Sequence, residues 1–484
     1  MKTHRMSIQA LCLACAVVLL AGCPNPTGGA PDTNGGTNGE TSGGTDGGVT
    51  DTPRSDIPAG AFVTTWKTDN ASNVVTGSNQ IKLPLDSNGT YNFTVSWGDG
   101  TQDVITSYDQ AEATHTYSTP GTYEVVIEGE IDGFGFFDFG EDSSKIIDVV
   151  QWGSVTLHNR GSQFYDCDHL TGFSAPDTPD LSNVTNMESM FRFAAAFTDG
   201  VADWDLSGVT TTREMFDRAS SFNEDLSSWD VSSVTDMGYM FYRAHVFNGD
   251  VSSWNVGNVT DMSSMFKGAD AFSGDVSTWD VSSVTSTRGM FDGADVFNGD
   301  LSQWKVGSVT DMSYMFAFAS QFNGDLSTWD VAAVTDMSRM FLRAEAFTGD
   351  ISSWNVSSVG DMSAMFSGAT SFNGDLSRWD VGNVTEMSSM FAEATVFDGD
   401  LSTWDVSNVT AMDYMFSEAA AFNSDISSWD TGEVTDMYQM FRWASSFNQD
   451  LSGWCVTNIA TEPYAFATGS ALDDANKPNW GTCP

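Results

Sequence analysis

The sequence predicts a repeat solenoid in which each 25-residue coil supplies a short strand and a short helix, preceded by a small β-sandwich. Three observations predict it. The stretch FNGDVSSWNVGNVTDMSSMFKGADA, from Phe247 to Ala271, returns with little change from about Asp180 to Trp454. Tryptophan keeps strict register at Trp204, Trp229, Trp254, Trp279, Trp304, Trp329, Trp354, Trp379, Trp404, Trp429 and Trp454, and the Met-Phe pair keeps the same step from Met190-Phe191 to Met440-Phe441. A fixed period of this size marks one unit that buries its apolar side only by stacking on copies of itself. Ahead of the repeats, apolar and polar residues alternate between Gly-Asp-Gly and Pro-Gly turns, as strands do.

With 484 residues, 40% hydrophobic and 12% aromatic, the chain can bury a large core, and its formal charge of −46 makes the surface strongly acidic. That argues against nucleic acid, whose phosphates need Lys and Arg to release counterions, and against anionic lipid heads. Cationic ligands, metal ions or a salty medium fit better.

Residues 1–22 read as an export signal. Lys2 and Arg5 precede an apolar run from Ala10 to Leu20, too short to cross a bilayer, and the run ends in Leu20-Ala21-Gly22-Cys23. That ending resembles the lipobox of bacterial lipoproteins, which implies cleavage before Cys23 and lipidation of its thiol. Residues 23–60 are rich in Gly, Thr and Asp and almost free of apolar side chains; such a segment cannot offset its chain entropy and is expected to be a disordered tether.

Residues 61–145 carry the alternating runs Tyr91–Trp97 and Gly121–Ile127. Trp97-Gly98-Asp99-Gly100-Thr101, His115-Thr116-Tyr117 and Pro120-Gly121-Thr122-Tyr123 together resemble the PKD domain, which implies an immunoglobulin-like β-sandwich. Asp99 is expected to bond its own turn, and His115 to be structural. Residues 146–180 read as an N-terminal cap, an atypical repeat whose Phe164, Cys167 and Leu170 fall at three-residue steps, resembling the turn of treponemal-type leucine-rich repeats. Cys167 beside His169 lacks the further ligands of a metal site.

Residues 181–455 are the repeats. In the third copy Val251, Trp254, Val256 and Val259 carry strand-like spacing, with Trp254 and Val256 alternating inward. Met262, Met265, Phe266 and Ala269 then fall at i, i+3, i+4 and i+7, one face of a short helix, with Thr260 placed to cap it and Asp261 in its first turn. The run Asp-Leu-Ser-x-Trp-Asp-Val-Ser-x-Val-Thr-Asp-Met-x-x-Met-Phe resembles the BspA-like leucine-rich repeat proteins, which implies a leucine-rich-repeat-like solenoid of bacterial lipoproteins and surface adhesins. In the C-terminal cap, residues 456–484, Cys483 faces Cys455 across the closing segment. The two are expected to form a disulfide worth roughly 3 to 4 kcal/mol.

No nucleophile, base and orienting group recur together, and four of the five histidines lie outside the repeats, so no catalysis is expected. Asp225, Asp250, Asp275, Asp300, Asp325, Asp350, Asp375, Asp400, Asp425 and Asp450 form a column whose neighbours repel if stacked ~4.8 Å apart. Either each accepts backbone N–H bonds in its own turn, or calcium bridges the coils; calcium is the one cofactor this admits.

Apart from Lys305 and Arg378 on strand columns, the repeat-region cations gather on the solvent side of the expected helix, at Arg192, Arg213, Arg218, Arg243, Lys267, Arg288, Arg339, Arg343 and Arg442, among the aromatics Phe193, Tyr239, Tyr242, Tyr314, Phe318, Tyr414, Tyr438 and Trp443. Arg, Tyr and Trp are the types enriched at binding hot spots. A partner-binding face is therefore expected at Arg218, Tyr239, Tyr242, Arg243, Tyr314, Phe318, Arg343, Tyr414, Tyr438, Arg442 and Trp443. The alternative is that these groups balance the acidic field and cover core edges. The expected role is adhesion at the bacterial cell surface or outer envelope through an extracellular or cell-surface protein, with the membrane reached only through the N-terminal lipid; glycan binding and a ligand-free envelope spacer are the alternatives.

Overall fold

In the computed structural model the described residues are 57–70, 74–137 and 142–484. The expected signal peptide, Cys23 and the tether up to residue 56 lie outside them. Seven strands come first: β1 (Phe62–Lys67), β2 (Gln80–Lys82), β3 (Leu85–Ser96), β4 (Gln102–Ile105), β5 (Thr114–Thr116), β6 (Thr122–Phe134) and β7 (Ile146–Gln151). Five form one antiparallel sheet in the order β4-β3-β6-β1-β7, and β2 pairs with β5 as a separate ribbon. The alternation read in Tyr91–Trp97 lies in β3 up to Ser96, where Phe93 and Val95 stand opposite Gly129 and Ile127 of β6.

This corrects the expected immunoglobulin-like β-sandwich. The second sheet has two strands of three residues each, too little for a layer. The large sheet completes its core differently. Phe62 stacks on Trp152 at 6.1 Å and Phe134 lies 6.5 Å from Phe164, so its apolar side chains run into the first coils. β7, just past residue 145, pairs with β1 and then leads into the repeats, Val149 bridging Phe173 in parallel. One hydrophobic core continues from Phe62 to Leu472.

The repeats require a second correction. Each copy was expected to hold a strand and a helix, like a leucine-rich repeat; the coils contain neither, only turns joined by single parallel bridges such as Asp236–Asp261 and Asp261–Ser286. The inward face was read correctly, since Met262, Met265, Phe266 and Ala269 are all fully buried. The backbone beneath them differs because its N–H groups go elsewhere. In the copy before, Tyr239, Phe241 and Arg243 donate to Ser263, Met265 and Lys267 of the next coil at 2.8, 2.9 and 2.7 Å, while Met240, Tyr242 and Ala244 donate three residues back, to Met237, Tyr239 and Phe241. A helix would spend all of these within the segment. Sending every second one outward turns the backbone over at Tyr239 and Arg243, which take φ of 59° and 55°. Thr260 is accordingly no helix cap: its amide and hydroxyl both reach the Thr235 carbonyl, at 2.8 and 3.1 Å.

Tryptophan fixes the register. Trp254 Nε1 donates to the Leu226 carbonyl of the coil before at 2.9 Å, and its ring lies parallel to those of Trp229 and Trp279 at 6.2 and 6.1 Å. Two phenylalanine columns stack beside it; Phe241 meets Phe247 at 3.8 Å and Phe266 at 5.6 Å. At the C-terminal end the Cys455–Cys483 disulfide holds the cap against the last coil, with Val456 donating to Thr482 and Leu451 to Asn476, each at 2.8 Å.

Two measurements check this packing. Ala364 sits four coils after Ser264, at φ 54°, so Ala364→Gly is expected to raise the unfolding free energy by up to about 1 kcal/mol in a denaturant titration, where in a helix it would lower it by a similar amount. Trp329→Ala removes a buried ring and its hydrogen bond to the Leu301 carbonyl, which keeps only the Trp304 amide; a loss of about 3 to 5 kcal/mol is expected from the same titration.

Candidate binding face

The turns that replace the helix create two columns of left-handed residues. One runs through Tyr239, Ser264, Gly289, Tyr314, Arg339, Ala364 and Tyr414, the other through Arg218, Arg243, Gly268, Gly293, Phe318, Arg343, Gly368 and Trp443. Most residues expected to bind a partner fall in these columns, and Tyr242, Tyr438 and Arg442 flank them. A non-glycine residue in this conformation costs roughly 1 to 2 kcal/mol. Glycine fills the same places in other coils.

The face has two clusters. Toward the sheet, guanidinium groups lie over aromatic rings in succession: Arg218 over Phe193 and Tyr242 at 4.9 and 5.5 Å, Arg243 over Tyr242 at 5.3 Å, and Arg213 over Tyr239 at 5.0 Å. Three cations then converge on Tyr314, with Lys267, Arg288 and Arg339 at 5.8, 5.3 and 5.1 Å from its centroid. Between Tyr239 and Tyr314 the column holds only Ser264 and Gly289. That gap opens a cleft of about 300 Å³ lined by both tyrosines, Tyr242, Ser264, Lys267, Arg288 and Gly289.

The second cluster lies near the C-terminal cap. Tyr414, Tyr438 and Tyr464 follow one another at 5.3 and 5.6 Å, and Arg442 lies 3.6 Å from the centroid of Trp443, which is half exposed. Burial, followed by the neighbouring Tyr438, pushes the Tyr414 hydroxyl up to about 12. Phe318 stands exposed between the clusters, and Arg343 pairs with Glu393 at 3.1 Å. Ser264 and Gly289 were missed at the level of sequence, although small residues interrupting a column of large ones mark where a cleft opens.

At the sheet end of the face Asp217 is nearly buried, with Arg192 Nε at 2.8 Å and Arg218 Nε at 4.0 Å. Burial pushes its carboxyl up to about 6, against the pull of Arg192, Arg218 and Arg243 and with a further push from Glu214.

The other expected site is the acidic column. Its carboxylates accept from the amide two residues on, as Asp225 does from Ser227 at 2.9 Å, Asp350 from Ser352 at 3.0 Å and Asp450 from Ser452 at 3.0 Å. The serine hydroxyl and then its amide hold Asp275, Asp325, Asp350, Asp375, Asp425 and Asp450 below the usual range. For Asp225, Asp300 and Asp400 the amide comes first and the hydroxyl second. Among the described residues no group of three or more His, Cys, Asp or Glu is gathered to hold a metal ion.

This is a repeat protein with a cation-bearing aromatic face, and it belongs to a family described as Mycoplasma protein of unknown function, DUF285, whose profile matches residues 159–279, 262–379 and 369–480. No curated protein and no solved structure matches the chain.

The Asp217 shift has a definite sign. Because the folded chain holds this proton more tightly than the unfolded one, stability is expected to fall as pH rises from about 4 to about 6, by about 2 kcal/mol. Asp217→Asn should remove that slope and be the more stable protein above pH ~6, the two converging near pH ~4 in melts across that range.

Proposed function

We propose that the chain is a lipid-anchored bacterial surface protein of the BspA-like kind, acting in adhesion through its cation–aromatic face, with an extracellular or cell-surface protein as partner and no catalysis. One observation carries the reading. Arg218, Arg243, Tyr314, Phe318, Arg343 and Trp443 hold left-handed backbone on one face, in columns where Gly268, Gly289, Gly293 and Gly368 sit without that cost. Large amphipathic side chains kept at strained positions on a solvent-facing surface support recognition. The lipobox-like Leu20-Ala21-Gly22-Cys23 supports the anchor.

The test is a pull-down with residues 57–484 against extracellular-matrix and cell-surface proteins, with and without chelator. A saturable partner is expected. Replacing Tyr239, Tyr242 and Arg243 together by Ala should weaken it at least about tenfold while the melting curve keeps its cooperativity. Loss of nothing on that replacement would remove the face from the reading, and absence of any partner would favour an envelope spacer.

A further inference from the structure

The cleft between Tyr239 and Tyr314 has an excess of positive charge that the protein itself does not neutralise. Lys267 pairs with Asp292 at 2.6 Å, and Arg288 lies 3.8 Å from Asp311 while donating to the Ser313 hydroxyl at 2.8 Å. Arg243, beside the Tyr242 wall, and Arg339, on the Tyr314 wall, make no ion pair among the described residues. In a chain of net charge −46, cations without carboxylates are the exception, and the three cations that converge on the Tyr314 ring, with Arg339 unpaired among them, repel one another. An anion entering the cleft would relieve that repulsion.

We propose that this cleft recognises a short acidic peptide segment of the partner, a carboxylate being taken between Lys267, Arg288 and Arg339; the assignment rests on the protein-binding reading above and names the chemistry of its partner. The ring faces decide for peptide over acidic sugar. A sugar needs a bare aromatic face to stack on, whereas Tyr239, Tyr242 and Tyr314 already carry Arg213, Arg218, Arg243, Lys267, Arg288 or Arg339. A guanidinium lying over a ring is held in place, and Arg243 and Arg339 sit so with no ion pair among the described residues, leaving N–H groups that can pair with a carboxylate through two parallel hydrogen bonds. The column that holds Arg243 carries cations past the cleft in both directions, at Arg218, 4.0 Å from Asp217, and at Arg343, paired with Glu393, along the path that an extended segment with several carboxylates would take. The strong charge of the rest of the surface favours a short segment over a long polyanion.

The experiment titrates fluorescein-labelled hexaglutamate, hexaglutamine and an oligogalacturonate into the purified full chain and reads anisotropy at low and high salt. Saturable, salt-weakened binding of hexaglutamate alone is expected. Arg288→Gln and Arg339→Gln should each weaken it roughly tenfold with unchanged melting, and Arg378→Gln, beside Asp375 of the acidic column and away from this face, should not. Gly289→Tyr supplies a second route, since tyrosine already occupies this place at Tyr239 and Tyr314 with φ of 59° and 60° against 59° for Gly289; it should fill the cleft and abolish binding. Preference for oligogalacturonate, or hexaglutamate binding untouched by all three cleft variants, overturns the proposal. If hexaglutamate does not bind while a captured protein still depends on Tyr239, Tyr242 and Arg243, the acidic-segment assignment fails and the protein-binding face stands.

Discussion

Every second backbone N–H along the segment from Met237 to Arg243 crosses to the next coil, and the rest of the structure depends on that division of hydrogen bonds. An amide pointed at a neighbour cannot serve an α-helix, so the chain advances by tight turns and must reverse its handedness at Tyr239 and Arg243 and at their equivalents. Along that segment the repeat thereby gains a backbone bond to its neighbour at every second residue. The tryptophan and phenylalanine columns fix the distance at which those bonds close, with rings parallel and 5.4 to 6.5 Å apart from coil to coil. Hydrogen bonding and packing thus impose one translation, which is why the period tolerates no insertion.

The sheet and the C-terminal cap answer the problem that such stacking creates at its ends. Trp204, in the first full coil, has no carbonyl partner for its buried Nε1 and packs instead on Trp152 at 5.8 Å. The sheet covers what a preceding coil would have covered. At the other end the Phe441 amide finds the Phe466 carbonyl, and Trp480 closes on Phe466 edge-on at 4.9 Å. Capping units of this kind keep open-ended repeats from joining one another.

The period, the buried positions and the Cys455–Cys483 pair were legible in the sequence; the backbone conformation was not. Met262, Met265, Phe266 and Ala269 are spaced as a helix would space them because turns of three to four residues bring the same side chains inward. Periodicity reports which residues are buried and is silent on where the amides go. The occurrence of Gly at 268, 289, 293 and 368 was the local signal of left-handed backbone, masked because other copies carry Tyr, Arg or Phe in those places. The face was legible as a set of residue types, whereas its cleft depends on Ser264 and Gly289, which gain meaning only once Tyr239 and Tyr314 are known to flank them in one column.

The left-handed columns have an evolutionary consequence. Within them the backbone penalty is much the same for most side chains, and those side chains point away from the aromatic core, so exchanging one residue for another leaves the stack in place. Arg218, Arg243, Phe318, Arg343, Glu393, Glu418 and Trp443 all occupy one column. Such a surface can be rewritten one coil at a time, its specificity drifting or adapting while the fold beneath stays under constant selection.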